Sequence, residues 1–180
     1  LVGGAGPCHR SAPGGAAGAM TPATLAPAPL RIALYEPQIP PNTGNIARTS
    51  AAFQLPLALI EPLGFSLEDR YLKRAGLDYW PHVQLSTHSD VDAFLEALPT
   101  PFRLIGCSRH GGTELPQMRF QPGDVLLFGR EDLGLPESVR GRCDQLCTIP
   151  MPGGAAVRSL NLSVAAALVS FQAGLQLGLW

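Results

Sequence analysis

The chain has 180 residues, of which 46% are hydrophobic and 15% charged, so one domain of ordinary size can bury a core without disulfides or metals. Its formal net charge of −1 excludes a strongly basic nucleic-acid binder, so any contact with RNA would depend on locally placed arginines. The four cysteines form no C-x-x-C pair, and no histidine lies at metal spacing near Cys143 or Cys147, which indicates reduced thiols, no metal site and a cytoplasmic location.

The first part of the chain is dominated by glycine, alanine and proline. Residues 1–29 carry almost no large apolar side chains, so burial cannot compensate for the entropy lost on ordering. We therefore expect a disordered tail at 1–29 and a folded domain at 30–180.

Short apolar runs then alternate with helical patterns. The runs predict strands at 31–35, 57–60, 83–85, 102–106, 125–128 and 145–149. The helical patterns predict helices at 44–53, 66–76, 89–98, 136–142 and 160–177. Ser66 would begin a capping box and Ser89 would cap the third helix. This alternation indicates an α/β fold with helices on both faces of a parallel sheet.

The last segment, from Ser159 to Trp180, contains no charged residue. Its length would suffice to cross a bilayer, but polar side chains and two glycines interrupt the apolar pattern. We interpret it as a helix buried in the core or at a subunit interface, and we predict no membrane association. A tail-anchored membrane protein is the alternative.

Three predicted strands end close to candidate binding residues. In open α/β sheets, ligands bind at the carboxyl ends of the strands. These ends fall at Cys107, at Gly129 and at the Ile149–Met151 segment. We expect them to lie side by side around one pocket.

The first motif is the segment Pro40–Arg48, in which two prolines stiffen a loop before a helix. Asn42 or Thr43 can cap this helix. Asn45 and Arg48 are three residues apart and share a helix face near its N-terminus, where free N–H groups attract phosphate. A phosphate-binding site and a capped helix with one exposed arginine are both compatible with this spacing.

Two later loops have the composition of a nucleoside site. In Leu127–Pro136, a strand runs into a loop in which Glu131 could accept hydrogen bonds from a ribose or an ammonium group. In Ile149–Ser163, a glycine-rich loop precedes a polar helix start, where Ser159 and Asn161 would face the loop. The alternatives are a solvated turn for the first loop and helix capping by Ser159 for the second.

The sequence gives little support for other classes of binding or catalytic site. The chain has no Gly-Lys pair for a Walker A loop, and no G-x-G-x-x-G follows a strand. The segment Gly106–His110 approaches the G-x-S-x-G nucleophile elbow but lacks its second glycine. A small α/β hydrolase using Ser108 and His110 is kept as an alternative.

Taken in order, four segments resemble the SPOUT superfamily of RNA methyltransferases. The likeness is strongest to the TrmL-like tRNA wobble-nucleotide ribose 2'-O-methyltransferases of its TrmH-type branch. The segments are Leu34–Arg48, Arg74–Tyr79, Phe128–Pro136 and Arg158–Ser163. The resemblance implies an α/β fold with a C-terminal trefoil knot, S-adenosylmethionine as cofactor, and no metal. It further implies methyl transfer to a ribose 2'-hydroxyl of tRNA, at the wobble pyrimidine, with a ribosomal RNA substrate or a non-catalytic RNA-binding relative as the alternatives.

The family's pattern also implies residue roles. The catalytic positions are Arg48, Asn161 and Ser159, with Arg48 acting either as general base or as electrostatic stabiliser of the developing alkoxide. Cofactor contacts fall on Cys107, Gly129, Ile149, Met151, Ser159 and Leu160. RNA contacts fall on Asn42, Asn45, Arg48, Arg74 and Glu131. The role of Arg130 is left open. Relatives are homodimers that pack through the last helix, with Leu168 at a core-facing position.

Overall fold

The computed structural model describes residues 24–68, 79–157 and 159–180. The strands are β1 (Leu30–Tyr35), β2 (Leu57–Ile60), β3 (Leu85–His88), β4 (Arg103–Cys107), β5 (Thr113–Glu114), β6 (Asp124–Phe128) and β7 (Gln145–Thr148). The α-helices in these ranges are α1 (Pro40–Phe53), α2 (Val91–Ala97), α3 (Glu137–Arg140) and α4 (Leu162–Gln176).

The strands form one seven-stranded parallel sheet in the order β3-β2-β1-β6-β4-β7-β5. Strands β1 and β6 are central, with Ile32 in register with Leu126. Both are almost entirely apolar because each of their faces is covered, as is usual for strands inside a parallel sheet. The predicted α/β fold with a parallel sheet is confirmed.

Successive residues of β1 belong to hydrophobic clusters on opposite faces of the sheet. Ile32 packs in a cluster with Ile46 of α1 and Val169 of α4. The next residue, Ala33, packs in a second cluster with Phe94 of α2. Helices therefore cover both faces, as the alternation of elements predicted. The trefoil knot stays a prediction.

The start of α1 differs from the predicted one. The helix begins at Pro40 rather than at residue 44, and its N-cap is Ile39, whose side chain makes no capping hydrogen bond. The prediction that Asn42 or Thr43 caps this helix is wrong, since both lie within its first turn. Proline is favoured in a first helical turn because its missing N–H has no partner there in any case.

Three further element boundaries differ. Asp90, not Ser89, caps α2 by accepting a hydrogen bond from the backbone N–H of Ala93. Asn161, not Ser159, caps α4. Strand β3 covers Leu85–His88 rather than residues 83–85, and the short β5 was not predicted. Most of the helix predicted at 66–76 lies outside the described residues.

The C-terminus returns over the helices α1 and α4. The ring of Trp180 stacks on Phe53 with 4.6 Å between centroids. Gly174 makes this possible, because a Cβ at that position would overlap the Trp180 ring. Among the described residues, no helix is long and apolar enough to cross a membrane.

Candidate active site

A cavity of about 300 Å³ opens at the carboxyl ends of β4, β6 and β7. Cys107, Phe128 and Thr148, the last residues of these strands, line it. The first turn of α1 and the segment leading into α4 complete the wall. The expectation that three strand ends meet around one pocket is confirmed.

The predicted site residues that the structure describes fall into three groups. All six positions expected to contact the cofactor line the cavity: Cys107, Gly129, Ile149, Met151, Ser159 and Leu160. Three residues predicted for catalysis or RNA contact line it too: Asn42, Glu131 and Asn161. Asn45 and Arg48 are exposed on α1 and lie outside the cavity wall. Arg74 lies outside the described residues.

The loop after β6 folds back tightly at Gly129. A Cβ there would collide with the backbone of Gly134 and Leu135. Arg130 and Gly134 exchange two backbone hydrogen bonds, at 3.2 and 2.9 Å, which close the loop. Gly134 has a φ of +70°, a conformation that glycine adopts at little cost. The loop can thus bring bare backbone to the cavity.

Arg130, which the sequence left without a role, braces the same loop. Its Nε and Nη2 donate to the two carboxylate oxygens of Asp132, at 2.9 and 2.8 Å. Its Nη1 lies 3.3 Å from Oε2 of Glu36 at the end of β1. The hydrogen bond from Arg130 lowers the pKa of Asp132 to about 2, and the pKa of Arg130 is raised by the same contact.

Glu131 lies against the start of α1. Its Oε2 accepts a hydrogen bond from the backbone N–H of Gln38 at 2.9 Å. Its Oε1 accepts from the backbone N–H of Ile39 and from Nδ2 of Asn42, both at 3.2 Å. A carboxylate from another loop therefore supplies acceptors at a helix start that has no side-chain cap of its own.

The hydrogen bonding continues from α1 to α4. Oδ1 of Asn42, which is buried, accepts from Nδ2 of Asn161 at 2.9 Å. Oδ1 of Asn161 accepts from the backbone N–H of Ser163 at 2.8 Å and from its Oγ at 2.7 Å. Sequence reasoning selected Glu131, Asn42 and Asn161 separately and missed that they form one chain of contacts.

Arg48 projects from the exposed face of α1. Its Cζ lies 4.7 Å from the ring centroid of Tyr79, a cation–π distance. Tyr79 was not singled out as a functional residue, although it lies at the end of the Arg74–Tyr79 motif. Such a contact limits the directions that the guanidinium can take.

The thiols and the hydrolase alternative can be judged from their contacts. Cys107 and Cys147 line the cavity, and burial raises the pKa of Cys147 to about 11 and that of Cys107 well above its ordinary value. Both are therefore neutral thiols at physiological pH.

The Ser108 hydroxyl accepts from the backbone N–H of His110, and the His110 ring accepts from Arg109. These contacts do not form a serine–histidine catalytic pair.

The described residues contain no group of three or more side chains suited to hold a metal ion. What they contain is a cavity at the carboxyl edge of a parallel sheet, with a chain of hydrogen bonds through Glu131, Asn42 and Asn161 on one side. This combination defines an α/β protein with a candidate ligand site at the position usual for its class.

The chain belongs to the SpoU rRNA Methylase family, which matches residues 29–171. The family resemblance predicted from the four motifs is confirmed.

Individual relatives agree with this assignment. The chain is 44% identical over 151 residues to the tRNA (cytidine(34)-2'-O)-methyltransferase of Escherichia coli strain K12. The alignment covers 83% of this chain and 94% of the relative. A solved structure from work on 2-OH methylation of C/U34 on tRNA has 52% identity and a TM-score of 0.80, covering 85% of this chain and 99% of its own. The SpoU methyltransferase AviRb from Streptomyces viridochromogenes, solved with AdoMet, has 27% identity and a TM-score of 0.72 over 84% of this chain and 62% of its own.

Proposed function

We propose that the chain transfers a methyl group from S-adenosylmethionine to the ribose 2'-hydroxyl of the wobble pyrimidine of tRNA, nucleotide 34 in the relatives' names. The observation that carries this proposal is the convergence of all six expected cofactor positions on one cavity. Of the side chains expected for catalysis or RNA contact, Asn42, Glu131, Ser159 and Asn161 line the same cavity, while Asn45 and Arg48 are exposed on α1. The cytoplasmic location expected from the cysteine pattern of the sequence is part of this proposal.

The cavity suits this cofactor in size and lining. Its volume, about 300 Å³, falls in the range of small-molecule sites. Apolar side chains such as Ile149 and Leu160 offer a surface for an adenine ring, and Ser159 offers a hydroxyl. Because Gly129 has no side chain, the loop after β6 can fold back on Gly134, and both glycines line the cavity. When bound, the cofactor supplies an electrophilic methyl group on sulfur.

Arg48 and Asn161 would act on the RNA. A guanidinium is effectively always protonated, so Arg48 suits a role in binding phosphate and stabilising negative charge on the ribose oxygen better than proton removal. Glu131 ties the start of the helix that carries Arg48 to the loop that lines the cavity. Asn161 would orient the ribose.

Methyl transfer to RNA tests the proposal directly. The chain would be incubated with labelled S-adenosylmethionine and either unmodified tRNA or ribosomal RNA, and the labelled nucleosides would be identified by mass spectrometry. We expect label in a 2'-O-methyl pyrimidine of tRNA. Arg48→Ala should lower the rate by about 100-fold or more, as loss of an electrostatic stabiliser does, with cofactor affinity unchanged because Arg48 lies outside the cavity wall.

Arg119→Ala is the matched control, since Arg119 is also exposed and does not line the cavity. It should retain full activity. Label in ribosomal RNA alone would favour the substrate that the family description names. Cofactor binding without transfer to either RNA would favour a non-catalytic relative.

We also propose that two copies associate through α4. The buried face of this helix packs on the sheet through Ala166, Val169 and Ala173. Its other face exposes an apolar stripe at helical spacing, in which each side chain is roughly half exposed: Val164 47%, Leu168 45%, Phe171 48% and Leu175 53%. Leu168 is thus not at the core-facing position expected from the sequence; it points away from the core of the described residues, and we propose that a second copy covers it.

A charge on this stripe should prevent association. Leu168→Glu is expected to turn a dimer into a monomer in analytical ultracentrifugation, because the carboxylate would be desolvated in an apolar contact. Gln84→Glu adds the same charge at another exposed position and should leave the mass unchanged. A Leu168→Glu protein that sediments as a dimer would rule out this interface.

A further inference from the structure

The chain of contacts from Glu131 to Ser163 has a fixed direction. It consists of side-chain amides, whose two ends differ in hydrogen-bonding character, placed between a carboxylate and a backbone N–H. The direction in which each amide points determines what the last one can offer to a ligand.

The Glu131 end determines the orientation of Asn42. The carboxylate receives N–H groups from Gln38, Ile39 and Asn42, and an ionised carboxylate can only accept. Asn42 must therefore turn its NH₂ group toward Glu131. Its oxygen then faces α4, where it accepts from Nδ2 of Asn161 at 2.9 Å.

The Ser163 end independently requires the same orientation. A backbone N–H can only donate, so the atom of Asn161 that lies 2.8 Å from the nitrogen of Ser163 must be the side-chain oxygen. The NH₂ group of Asn161 then faces Asn42. Since both ends are groups of fixed character and agree, neither amide can be reversed without bringing two donors together.

Counting donors and acceptors shows what remains open at Asn161. Its oxygen accepts from the backbone N–H and the hydroxyl of Ser163, which uses both lone pairs. Its nitrogen gives one of two hydrogens to Asn42. The other N–H has no acceptor among the described residues, and Asn161 is exposed and lines the cavity.

We propose that Glu131 and Asn42 are positioning residues that hold Asn161 as a hydrogen-bond donor to the ribose 2'-oxygen. This inference rests on the proposed function. In the reaction, the ribose oxygen forms a bond to the methyl carbon, the carbon–sulfur bond breaks with its electron pair left on sulfur, and the hydroxyl proton leaves to water. The free N–H of Asn161 stabilises the negative charge that develops on the oxygen. Its filled oxygen cannot accept that proton.

Exchanging the hydrogen-bond donor and the acceptor between Glu131 and Asn42 tests this proposal. Glu131→Gln replaces two acceptor oxygens by one, so an NH₂ group must face either Asn42 or a backbone N–H. Asn42→Asp places a carboxylate against Glu131. In the double variant, the glutamine donates to the aspartate, and the aspartate still accepts from Asn161. The N–H of Ile39, whose hydrogen bond is exposed, can then turn to water.

Each single variant should lower kcat by about 10- to 100-fold, the effect of losing one hydrogen bond made in the transition state. The KM for tRNA and the affinity for S-adenosylmethionine should stay within about twofold, as for loss of a contact made only in the transition state. The double variant should recover kcat to within about threefold, since coupled residues depart from additivity. Glu137→Gln, at an exposed residue outside the cavity wall, should have no effect.

A second measurement is independent of turnover. In ¹H–¹⁵N spectra of the free protein, the side-chain NH₂ signals of Asn161, assigned by their loss in Asn161→Asp, should move in each single variant and return in the double variant. Singles with full activity and unmoved signals would overturn the inference, as would a double variant that melts normally but is not rescued. If the unaltered chain transfers no methyl group, the proposed function fails. The amide signals alone then decide whether Glu131 and Asn42 orient the side chain of Asn161.

Discussion

The two edges of the sheet both carry a cavity and charged side chains, but they use them differently. The amino edge borders a cavity of about 470 Å³, and the carboxyl edge one of about 300 Å³. At the amino edge, the buried carboxylate of Asp124 accepts from Arg103 at 2.8 and 2.7 Å and from the backbone N–H of Gln121 at 2.8 Å. At the carboxyl edge, the chain of polar contacts from Glu131 to Ser163 passes through the exposed Asn161. The larger cavity is thus not the better candidate site.

The difference follows from how the polar groups are satisfied. At the amino edge, Arg103 and Asp124 neutralise each other, and a ligand would have to displace one of them. At the carboxyl edge, Glu131 satisfies backbone groups of α1 while Asn161 retains a free donor. Groups at the first edge hold the strand starts together, whereas at the second edge an N–H of Asn161 is left for the proposed ligand.

The largest expected effect is on stability, from the amino edge. Asp124→Ala removes the buried carboxylate that accepts from Arg103 and from the N–H of Gln121, so the free energy of unfolding should fall by about 3 kcal/mol in urea titration. The affinity for S-adenosylmethionine should stay unchanged, because Asp124 lies at the other end of β6. A loss of affinity without a loss of stability would contradict the division of roles between the edges.

A pair of glycine variants gives the next largest effect. Gly129→Ala forces a Cβ into the backbone of Gly134, and strain of about 1–3 kcal/mol would reshape the cavity. Cofactor affinity should fall by about 10- to 100-fold in calorimetry. Gly123→Ala is the control at the amino edge, where φ is +91° and the added Cβ lies 3.3 Å from a Pro101 oxygen. It should lower stability and leave cofactor affinity intact; equal losses of affinity in both variants would contradict the comparison.

The sequence predicts what depends on local pattern. Apolar runs placed β1, β2 and β6 closely, and the order of strand ends located the cavity, because parallel strands bring their carboxyl ends to one edge. The two adjacent cap formers Ser89 and Asp90 could not be ranked in this way. In the structure, Asp90 accepts from Ala93, and Ser89 donates to Asp90.

The sequence does not predict what depends on distant partners. The start of α1 receives its acceptors from Glu131, which is 93 residues away from Gln38. Asn42 and Asn161 are 119 residues apart. No periodicity or capping rule indicates such pairs, so Asn42 was taken for a cap and Glu131 for an RNA contact on composition and resemblance alone.

The smallest expected effect concerns the ion pair at the carboxyl edge. The hydrogen bond from Arg130 lowers the pKa of Asp132 from its ordinary 3.8 to about 2. A lowered carboxyl pKa stabilises the fold fully above about pH 4, and this contribution is lost as the pH falls toward about 2. A ¹³C titration of the Asp132 carboxyl should show a midpoint near 2, and Arg130→Ala should return it toward 3.8.

This ion pair also sharpens the contrast with Arg103 and Asp124. The Asp132 side chain is 54% exposed, whereas that of Asp124 is 0% exposed. Solvent screens an exposed pair, so Asp132→Asn should change the free energy of unfolding little at pH 7, while replacement of Asp124 is costly. A midpoint near 3.8 in the unaltered protein would mean that Arg130 does not hold Asp132 in solution. Bracing of the cavity loop would then depend on the two backbone hydrogen bonds between Arg130 and Gly134 and on the contact of Arg130 with Glu36.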